Sequence, residues 1–561
     1  MEDLIRKWVL QNAVKYEGKA QQGAIIGKLI SENSDIKNNM KDVVKLIAKV
    51  IKDVNALSLD KQMAELQAKW PELLVEKPVE EKVLKDLPDA VQGKVVLRVA
   101  PSPSGPLHIG HAYITCLNSE YAKKYGGKLI LRIEDTNPEN IFSPAYKLIE
   151  EDVRWLTNDN VHSVPIQSDR LHTYYDYAEK LLNMEKAYVC TCDADVFRTL
   201  IAKKEACLCR NVPVKEQLLR WDKMFTSYEP GQAVVRIKTD VAHPNPAMRD
   251  WPALRINHAK HPRTGTEEKV WPLMNFAVAV DDHEMGVTHT IRGKDHMDNA
   301  KRQKYIFDFF GWKVPVHKYV GRINFEGIEV SKTKTKLAIE RGEYEGWDDI
   351  RLPFLCALKR RGYQSAAFTK WAVDIGLTET DKTVAIDEFF KTLNHFNKEI
   401  LDPVVNRYFF VWDPVKISIE GAPAQQVSAD LHPSDPSRGK RVFTTSMDFF
   451  ISRDDFGALK ENGLYRLMHC LNFTKKGGNL VFVSKEHKDF EEKGDAIMHW
   501  LPVDQTVNVC VLMPDHSERE GVGEQAIANL PVGANIQFER FGFCRLDNVK
   551  QKTFQFWFGC R

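Results

Sequence analysis

The sequence lacks a long apolar run, a leader typical of secretion and an excess of one charge sign. No stretch approaches the roughly 18 apolar residues of a membrane span, and the first residues do not follow the order of a secretory signal. Lys and Arg number 79 against 77 Asp and Glu, which excludes a uniformly basic nucleic-acid coat but allows local basic patches. We therefore expect a cytoplasmic protein with no membrane association.

Cysteine is scarce as well. Ten cysteines in 561 residues cannot form the disulfide scaffold of a small secreted protein. Hydrophobic residues make up 43% and charged residues 28%, which is an ordinary globular composition. With no fixed-period repeat and roughly 100–200 residues per domain, the length predicts a multidomain globular chain.

Changes in hydrophobic periodicity divide the chain into six segments. Residues 1–93 have helical spacing followed by a charged linker, and they fit either a small bundle with a solvated Lys face or a nucleic-acid-facing surface. From Lys94, alternating strands and helices are typical of a Rossmann-like parallel sheet. This sheet is predicted in two halves, 94–189 and 271–335, around an insert at 190–270 that contains cysteines; the run WPLMNFAVAVDD in the second half is predicted to be a strand. A helical segment follows at 336–396, and short β runs at 397–561 predict antiparallel barrels.

The segment PSPSGPLHIGH, Pro101–His111, joins a predicted strand to a predicted helix. Gly105 and Gly110 allow a ligand to approach the backbone. His108 and His111 lie three residues apart and share one face of the first helical turn. The free N–H groups of that turn suit a phosphate, and the imidazoles can donate hydrogen bonds as charge moves onto a leaving group. The alternative is a pair of histidines that only cap the helix.

A second motif, VSKTKT, follows about 220 residues later in the chain. Its Ser331, Lys332 and Lys334 combine two cations with flanking hydroxyl groups. On a flexible loop after the last strand, they would suit a mobile clamp on a triphosphate. The alternative is an ordinary solvated charge run.

Two close cysteine pairs, Cys190-x-Cys192 and Cys207-x-Cys209, are separated by 14 residues. Such pairs can fold back to give the tetrahedral set of four thiolates that Zn²⁺ accepts. With every position filled by protein, the metal would be structural. The alternative is four buried, reduced thiols.

The histidine motif and the downstream S-K-x-K together resemble the class I aminoacyl-tRNA synthetases. RVAPSPSGPLHIGHAYI, LRIEDTNPEN, AVDDHEMGVTHTIRGKDH and VSKTKTKLAIERGEYEGWDDIRLP are similar to glutamyl-tRNA synthetases, and LDPVVNRYFFVWDP, IMHWLP and FERFGFCRLD to their archaeal type. The resemblance covers nearly the whole chain and is weakest before about residue 90 and around 415–440. It implies that ATP and L-glutamate, with Mg²⁺, form a glutamyl adenylate whose glutamyl group passes to tRNA.

The resemblance also implies roles for particular residues. Catalysis would fall to His108, His111, Lys332 and Lys334. ATP would be bound by Gly105, His108, Gly110, His111, Ser331 and Lys332. A pocket for two carboxylates and one ammonium needs two cations and one anion, and the matching positions are Arg98, Ser102, Tyr113, Glu134 and Arg292. Met274 stands where the family often has Tyr and is left outside the predicted site.

The same resemblance assigns the remaining segments. The insert would hold the acceptor end of tRNA and a structural Zn²⁺, residues 336–396 would contact the tRNA stem, and residues 397–561 would bind the anticodon. We expect a monomer that charges tRNA for glutamate, with tRNA for glutamine left open.

Three alternatives remain: a glutaminyl-tRNA synthetase, a small-molecule adenylyltransferase and a non-catalytic tRNA-binding paralogue. Two features favour glutamate over glutamine. The loop reads PSPSG, where glutaminyl-tRNA synthetases usually have P-E-P-N-G. Arg292 is also present, and a neutral amide would leave that cation buried without a partner.

Overall fold

The structure is a computed structural model that describes residues 2–15, 18–20, 25, 29, 32, 40–73, 83–491 and 493–561. It divides into two compact units, Met1–Lys82 and Val83–Arg561. In the described part of the chain, no helix is both long enough and apolar enough to cross a membrane.

The first unit is helical, as predicted. Its helices are α1 (Glu2–Lys15), α2 (Met40–Asn55) and α3 (Leu59–Lys69). Leu10, Ile47 and Leu66 are among the fully buried residues of its core. The predicted linker falls partly on residues 74–82, which lie outside the described residues, and residues 83–95 contain neither helix nor strand.

The second unit begins with the segments that form the predicted catalytic domain and its insert. In chain order, its elements up to residue 326 are β1 (Val96–Val99), α4 (Ile109–Lys124), β2 (Lys128–Leu131), α5 (Ala145–Thr157), α6 (Leu171–Asn183), β3 (Ala187–Cys190), α7 (Ala194–Ala202), α8 (Val214–Thr226), β4 (Val234–Ile237), β5 (Pro252–Ile256), β6 (Val270–Pro272), α9 (Met274–Glu284), β7 (His289–Gly293), α10 (Met297–Phe310), β8 (Val316–Val320) and β9 (Ile323–Glu326).

The predicted parallel sheet is confirmed. β1 pairs in parallel with β2, and β7 pairs in parallel with β8. The Thr288 amide donates to the Val96 carbonyl at 3.0 Å, which places the start of β7 beside the start of β1. The carboxyl ends of β1, β2 and β7 therefore meet at one edge, where ligands bind in open α/β sheets.

The insert is more regular than its sequence suggests. Strands β3, β4, β5 and β6 form one antiparallel sheet in that order. The prediction of a strand at WPLMNFAVAVDD is wrong, because β6 ends at Pro272 and α9 follows at Met274. Every residue from Phe276 to Asp282 is buried, and a helix buried on all sides shows no period that separates it from a buried strand.

The rest of the second unit is a helical segment followed by β structure. Its elements are α11 (Lys332–Glu340), α12 (Leu355–Arg360), α13 (Ser365–Ile375), β10 (Lys382–Ala385), α14 (Ile386–Leu401), β11 (Arg407–Tyr408), β12 (Phe410–Trp412), β13 (Pro414–Glu420), β14 (Gln425–Asp430), β15 (Lys440–Thr445), β16 (Asp448–Ser452), α15 (Arg453–Gly457), β17 (Leu464–Leu467), β18 (Leu471–Lys476), β19 (Asn479–Ser484), α16 (Lys488–Glu491), β20 (Ala496–Met498), β21 (Leu501–Pro502), β22 (Thr506–Leu512), β23 (Glu518–Glu524), β24 (Asn535–Phe538), β25 (Gly542–Lys550) and β26 (Thr553–Cys560).

The C-terminal strands form two seven-stranded sheets and one antiparallel pair, β14 with β15. One has the order β11-β24-β25-β26-β22-β23-β12, and the other has the order β20-β17-β18-β19-β13-β16-β21. The prediction of antiparallel barrels is correct for β structure but not for the direction of every strand pair. Four neighbouring pairs are parallel: β11 with β24, β13 with β19, β17 with β20, and β22 with β26.

Two arginines join the helical segment to the C-terminal sheets. Arg360 makes two hydrogen bonds to the Asp547 carboxylate, at 2.8 and 2.7 Å, and its guanidinium lies 4.0 Å from the centre of the Trp557 ring. Arg361 donates to the carbonyl oxygens of Phe558 and Gly559, both at 3.2 Å. These two basic residues therefore bind a neighbouring part of the same unit.

Candidate active site

The predicted histidine pair caps the helix that leaves β1. The His108 Nδ1 accepts the Gly110 amide at 3.1 Å, and the His111 Nδ1 accepts the His108 amide at 3.2 Å. The ring centres lie 3.8 Å apart. The capping alternative is thus part of the geometry, but it engages only one nitrogen of each ring.

Both imidazoles are held neutral with a defined tautomer. Burial lowers the pKa of His108 to about 3, and the charge of Lys332 adds to the effect. Burial also lowers the pKa of His111, helped by His108 and Lys332. Since each Nδ1 accepts a backbone N–H, each Nε2 must carry the proton. The pair therefore offers two N–H donors for an anion without being charged itself.

Lys332 meets the loop that precedes this helix. Its Nζ donates to the Gly105 carbonyl at 3.1 Å. Gly105 has φ of +156°, and a Cβ there would lie 3.2 Å from the Lys332 Cδ, so a larger residue would displace the lysine. Burial lowers the pKa of Lys332 to about 8, while the Asp152 carboxylate opposes that shift. The structure thus brings Lys332 to the histidine motif from more than 200 residues away in sequence.

Ser331 and Lys334, the other two candidate residues of the second motif, do not join Lys332 at the histidine pair. The expected flexible loop gives way to α11 at Lys332, and the Ser331 Oγ caps it by accepting the Lys334 amide at 3.4 Å. The Lys334 side chain is 70% exposed and pairs with Glu329. Lys334 does not reach the histidine pair in this conformation.

A cavity of about 310 Å³ lies beside the helix start, at the carboxyl edge of the parallel sheet. Four of the five predicted glutamate-binding residues line it, together with two of the predicted ATP-binding residues. They are Arg98, Ser102, Gly110, His111, Glu134 and Arg292. The structure therefore gathers residues from β1, β2, β7 and their following loops around one small polar space.

Tyr113 does not belong to this cavity, and its predicted role in glutamate binding is corrected here. It is 2% exposed, packs edge-on against Trp371 and donates from its hydroxyl to the Gly376 carbonyl at 2.7 Å. Two residues along a helix rotate the side chain by about 200°. Since His111 faces the cavity, Tyr113 must face the helical segment behind it.

The two cavity arginines have different partners. Arg98 binds the Asp282 carboxylate with two hydrogen bonds, at 3.2 and 3.4 Å. Arg292 donates at 3.1 Å to the neutral amide oxygen of Gln303, and its buried Nε has no hydrogen-bond partner among the described residues. Burial lowers the pKa of Arg292 to about 10, and the nearby Arg98 adds to this effect. Arg98 is thus bonded to a carboxylate, whereas Arg292 is bonded to a neutral amide, with Tyr319 beside it and Asp282 acting on it only through space.

The cavity carboxylate is held by an arginine that sequence reasoning missed. Arg132 is fully buried; it donates to Glu134 at 3.0 Å and to Asp282 at 2.7 Å. Burial raises the pKa of Glu134, and the charges of Arg132 and Arg98 oppose this effect. Glu134 and Asp282 lie far apart in sequence, so no local pattern predicts that they share Arg132.

Met274 lines the cavity as well, although it was left out of the predicted site. Its Sδ lies 3.9 Å from the Gln303 Nε2. The sequence did contain a signal for this position, because Met274 stands where the family often has a pocket tyrosine. A residue that replaces that tyrosine occupies the same wall of the pocket. Met274 offers packing but no hydroxyl group.

The four predicted metal ligands come together in the insert. The sulfur atoms of Cys190, Cys192, Cys207 and Cys209 all lie within 4.8 Å of one another. The Cys190–Cys207 pair is at 3.9 Å and the Cys192–Cys209 pair at 3.7 Å. Four thiolates bound tetrahedrally at about 2.3 Å place their sulfurs about 3.8 Å apart, so the donor set fits Zn²⁺.

Comparison with known families agrees with this geometry. The family described as "tRNA synthetases class I (E and Q), catalytic domain" matches residues 94–403. The corresponding "anti-codon binding domain" families match residues 405–482 and 497–547. The chain therefore belongs to the class I tRNA synthetases of the E and Q type, which confirms the family expected from the sequence.

Curated relatives extend the match over almost the full length. A glutamate–tRNA ligase of Methanothermobacter marburgensis is 43% identical over 98% of both chains. One of Pyrococcus abyssi is 44% identical, again over 98% of both. One of Methanobrevibacter smithii is 40% identical over 100% of this chain and 99% of the relative. These organisms agree with the expected archaeal type.

Proposed function

We propose that this chain is a glutamate–tRNA ligase that activates glutamate with ATP and transfers the glutamyl group to tRNA. The observation that carries the proposal is the cavity in which Arg98, Arg292 and Glu134 surround a space beside the neutral histidine pair. The relatives that match 98% of the chain are glutamate–tRNA ligases, which supports the same activity. The expected class of enzyme is thus confirmed by its relatives.

The charges of the cavity suit glutamate better than glutamine. Glutamate brings two carboxylates and one ammonium group. Arg98 makes two hydrogen bonds to the Asp282 carboxylate, whereas Arg292 has no bonded carboxylate among the described residues, so an anion on the substrate is favoured beside Arg292. The side-chain carboxylate of glutamate supplies that anion at Arg292, and Glu134 accepts the ammonium group.

The first chemical step needs stabilisation of charge on the phosphates. The glutamate α-carboxylate attacks the α-phosphate of ATP, and pyrophosphate leaves with its bound Mg²⁺. The Nε2–H groups of His108 and His111 donate to phosphate oxygens, and the Lys332 ammonium counters the charge that grows in the transition state. No covalent bond to the protein is needed. The adenylate then passes its glutamyl group to the terminal ribose hydroxyl of tRNA.

ATP–pyrophosphate exchange tests this function. The assay is run with glutamate and with glutamine, each with and without tRNA, on the wild-type chain and on Arg292→Met. We expect exchange with glutamate only. Leaving a buried carboxylate without its partner costs about 3–5 kcal/mol, so the variant should lose about 10²–10⁴ in kcat/KM for glutamate. Preferential exchange with glutamine would establish the rival enzyme, and no exchange with either would favour a non-catalytic paralogue.

The cysteine cluster supports a structural zinc ion in the insert. Cys190, Cys192, Cys207 and Cys209 would hold Zn²⁺ with all four positions filled, so the metal would supply folding stability and no open site for a substrate. The cluster lies at the end of β3, between the antiparallel sheet and α7. Zinc would fix that corner of the insert.

The remaining segments would bind tRNA along its length. The insert at 190–270 would hold the acceptor end next to the cavity, and part of 336–396 would contact the stem. The sheets at 397–561 overlap the matched anticodon-binding families, which supports their role with the anticodon of tRNA for glutamate. Arg360 and Arg361 are the weakest candidates for stem contact in this segment, because their side chains bind the C-terminal sheets.

A further inference from the structure

Arg292 is held in the cavity wall by a neutral group. Its guanidinium donates to the Gln303 Oε1 at 3.1 Å, and Gln303 is 2% exposed. In the described part of the chain, no carboxylate oxygen lies within 4.0 Å of the Arg292 guanidinium nitrogens. Arg292 is thus held by neutral side chains, Gln303 and Tyr319, and Asp282 acts on its charge only through space.

A chain of amides fixes the orientation of Gln303. Because a guanidinium can only donate, the amide oxygen of Gln303 must face Arg292, and its Nε2 then donates to the Asn275 Oδ1 at 3.3 Å. Asn275 in turn donates to the Asn299 Oδ1 at 3.3 Å, and Asn299 donates to the His296 Nδ1 at 3.0 Å. His296 lines the same cavity as Arg292. The chain therefore begins and ends at the cavity wall, and none of its members carries a formal negative charge. Among the described residues other than Arg292, charged groups contact only its far end, where Arg302 donates to the Asn299 Oδ1 at 3.3 Å and the His296 Nε2 lies 3.7 Å from the Asp295 carboxylate.

We propose that Gln303 is a positioning residue that determines the charge preference of the cavity. It holds the Arg292 guanidinium in place and leaves its positive charge for the side-chain carboxylate of the substrate. Gln303 itself does not line the cavity and acts only through Arg292. The proposal rests on the proposed glutamate function, since it explains how that cavity selects an anion.

Replacing Gln303 with Glu separates position from charge. Glu has nearly the same shape, but it places a carboxylate at hydrogen-bond distance from Arg292. An Arg–carboxylate pair is strong and often bidentate, so the substrate carboxylate would then compete with a resident anion. Gln303→Met is the matched variant, because it keeps the volume and removes the hydrogen bond without adding charge. Lys304→Gln controls for charge alone, since Lys304 lies on the same helix, is 58% exposed and pairs with Asp308.

The experiment measures glutamate KM, ATP KM and kcat by pyrophosphate exchange with tRNA present. For Gln303→Glu we expect glutamate KM to rise at least 100-fold, with ATP KM and kcat within about threefold of wild type. The inhibition constant of glutamine, as a competitor of glutamate, should rise less than threefold. Gln303→Met should raise glutamate KM less than tenfold, and Lys304→Gln should leave it unchanged. A purely structural role would move kcat, both KM values and the melting temperature together.

Two results would overturn the proposal. One is a glutamate KM within threefold of wild type in Gln303→Glu; the other is an equal loss in Gln303→Met and Gln303→Glu. If Gln303→Glu fails to fold, Asn275→Asp places the same charge one hydrogen bond farther from Arg292, and glutamate KM should rise about tenfold; an unchanged KM would also refute the proposal. Wild-type exchange with glutamate is measured in parallel, and its absence would count against the proposed function rather than against Gln303.

Discussion

Raising the pH should switch off glutamate activation through Lys332. Burial lowers the pKa of this lysine to about 8, so it is about 90% charged at pH 7 and about 10% charged at pH 9. Only the charged ammonium can counter charge on the phosphates. Because kcat/KM reports the ionisation of the enzyme before ATP binds, kcat/KM for ATP should fall about tenfold between these two pH values.

Three variants assign this decline to Lys332 in the same exchange assay. Lys332→Arg keeps its charge at high pH, so its profile should be flat to pH 9 even though its rate at pH 7 is lower. Asp152→Asn removes the carboxylate that favours the charged lysine, so the decline should begin at lower pH. Lys336→Met is the control on the same helix; Lys336 is 50% exposed and weakly paired with Glu340, and its loss should not move the profile.

The same lysine affects stability with a defined sign. Its pKa of about 8 in the folded chain lies below the ordinary value of 10.5, so the unfolded chain binds more protons between about pH 8 and 10.5. Stability of the wild type should therefore rise with pH across that window, relative to Lys332→Met.

The catalytic role of Lys332 is refuted by either of two results in the exchange assay: a wild-type activity profile that stays flat to pH 9, or an unchanged decline in Lys332→Arg.

Further predictions concern the metal, the domain joint and the choice of tRNA. Cys207→Ser should lose the single zinc ion per chain and lower the melting temperature, whereas Cys510→Ser, outside the cluster, should keep the metal; equal zinc content in both would remove the site. Arg360→Ala should lower the free energy of unfolding by about 1.5–3 kcal/mol, the value of a charged hydrogen-bonded pair. Adding Asp547→Asn to that variant should lower the free energy of unfolding little further. Losses that add up would contradict the coupling of the two residues. We also expect tRNA for glutamine to be charged with glutamate, and a preference of 1,000-fold or more for tRNA for glutamate, about 4 kcal/mol, would contradict this.

Site residues that belong to one short motif could be predicted from the sequence. Buried residues that are brought together from distant segments could not. His108 and His111 are three residues apart on a helix that follows a strand, so their shared face follows from helical geometry alone. The pairs that begin at Cys190 and Cys207 could likewise be recognised, because the two cysteines of each pair are separated by a single residue. Tyr113 was placed in the pocket by resemblance, although the turn of the helix between His111 and Tyr113 already opposes a shared face.

Buried partners escaped prediction because their sequence signals are weak. Arg132, two residues before Glu134, looks like an ordinary charge near a strand end, yet it is fully buried and joins Glu134 to Asp282. Residues 336–396 were expected to contact the tRNA stem, but in the structure the side chains of Arg360 and Arg361 bind the C-terminal sheets. A run of basic residues predicts side chains that bind phosphates, carboxylates or carbonyl oxygens. It does not predict whether tRNA or the chain itself provides these acceptors.

The two cavity arginines illustrate what the structure adds to a correct prediction. Sequence reasoning selected Arg98 and Arg292 together, as two cations for two carboxylates. In the folded chain Arg98 binds the Asp282 carboxylate, which it shares with Arg132, while Arg292 donates to the amide of Gln303, lies beside Tyr319 and has no bonded carboxylate among the described residues. Since a buried cation without a counter-ion is unfavourable, the cavity gains most from an anion at Arg292. We therefore expect preference for a charged side chain over its amide to depend on the different partners of the two arginines, a carboxylate and an amide, and not on the number of arginines alone.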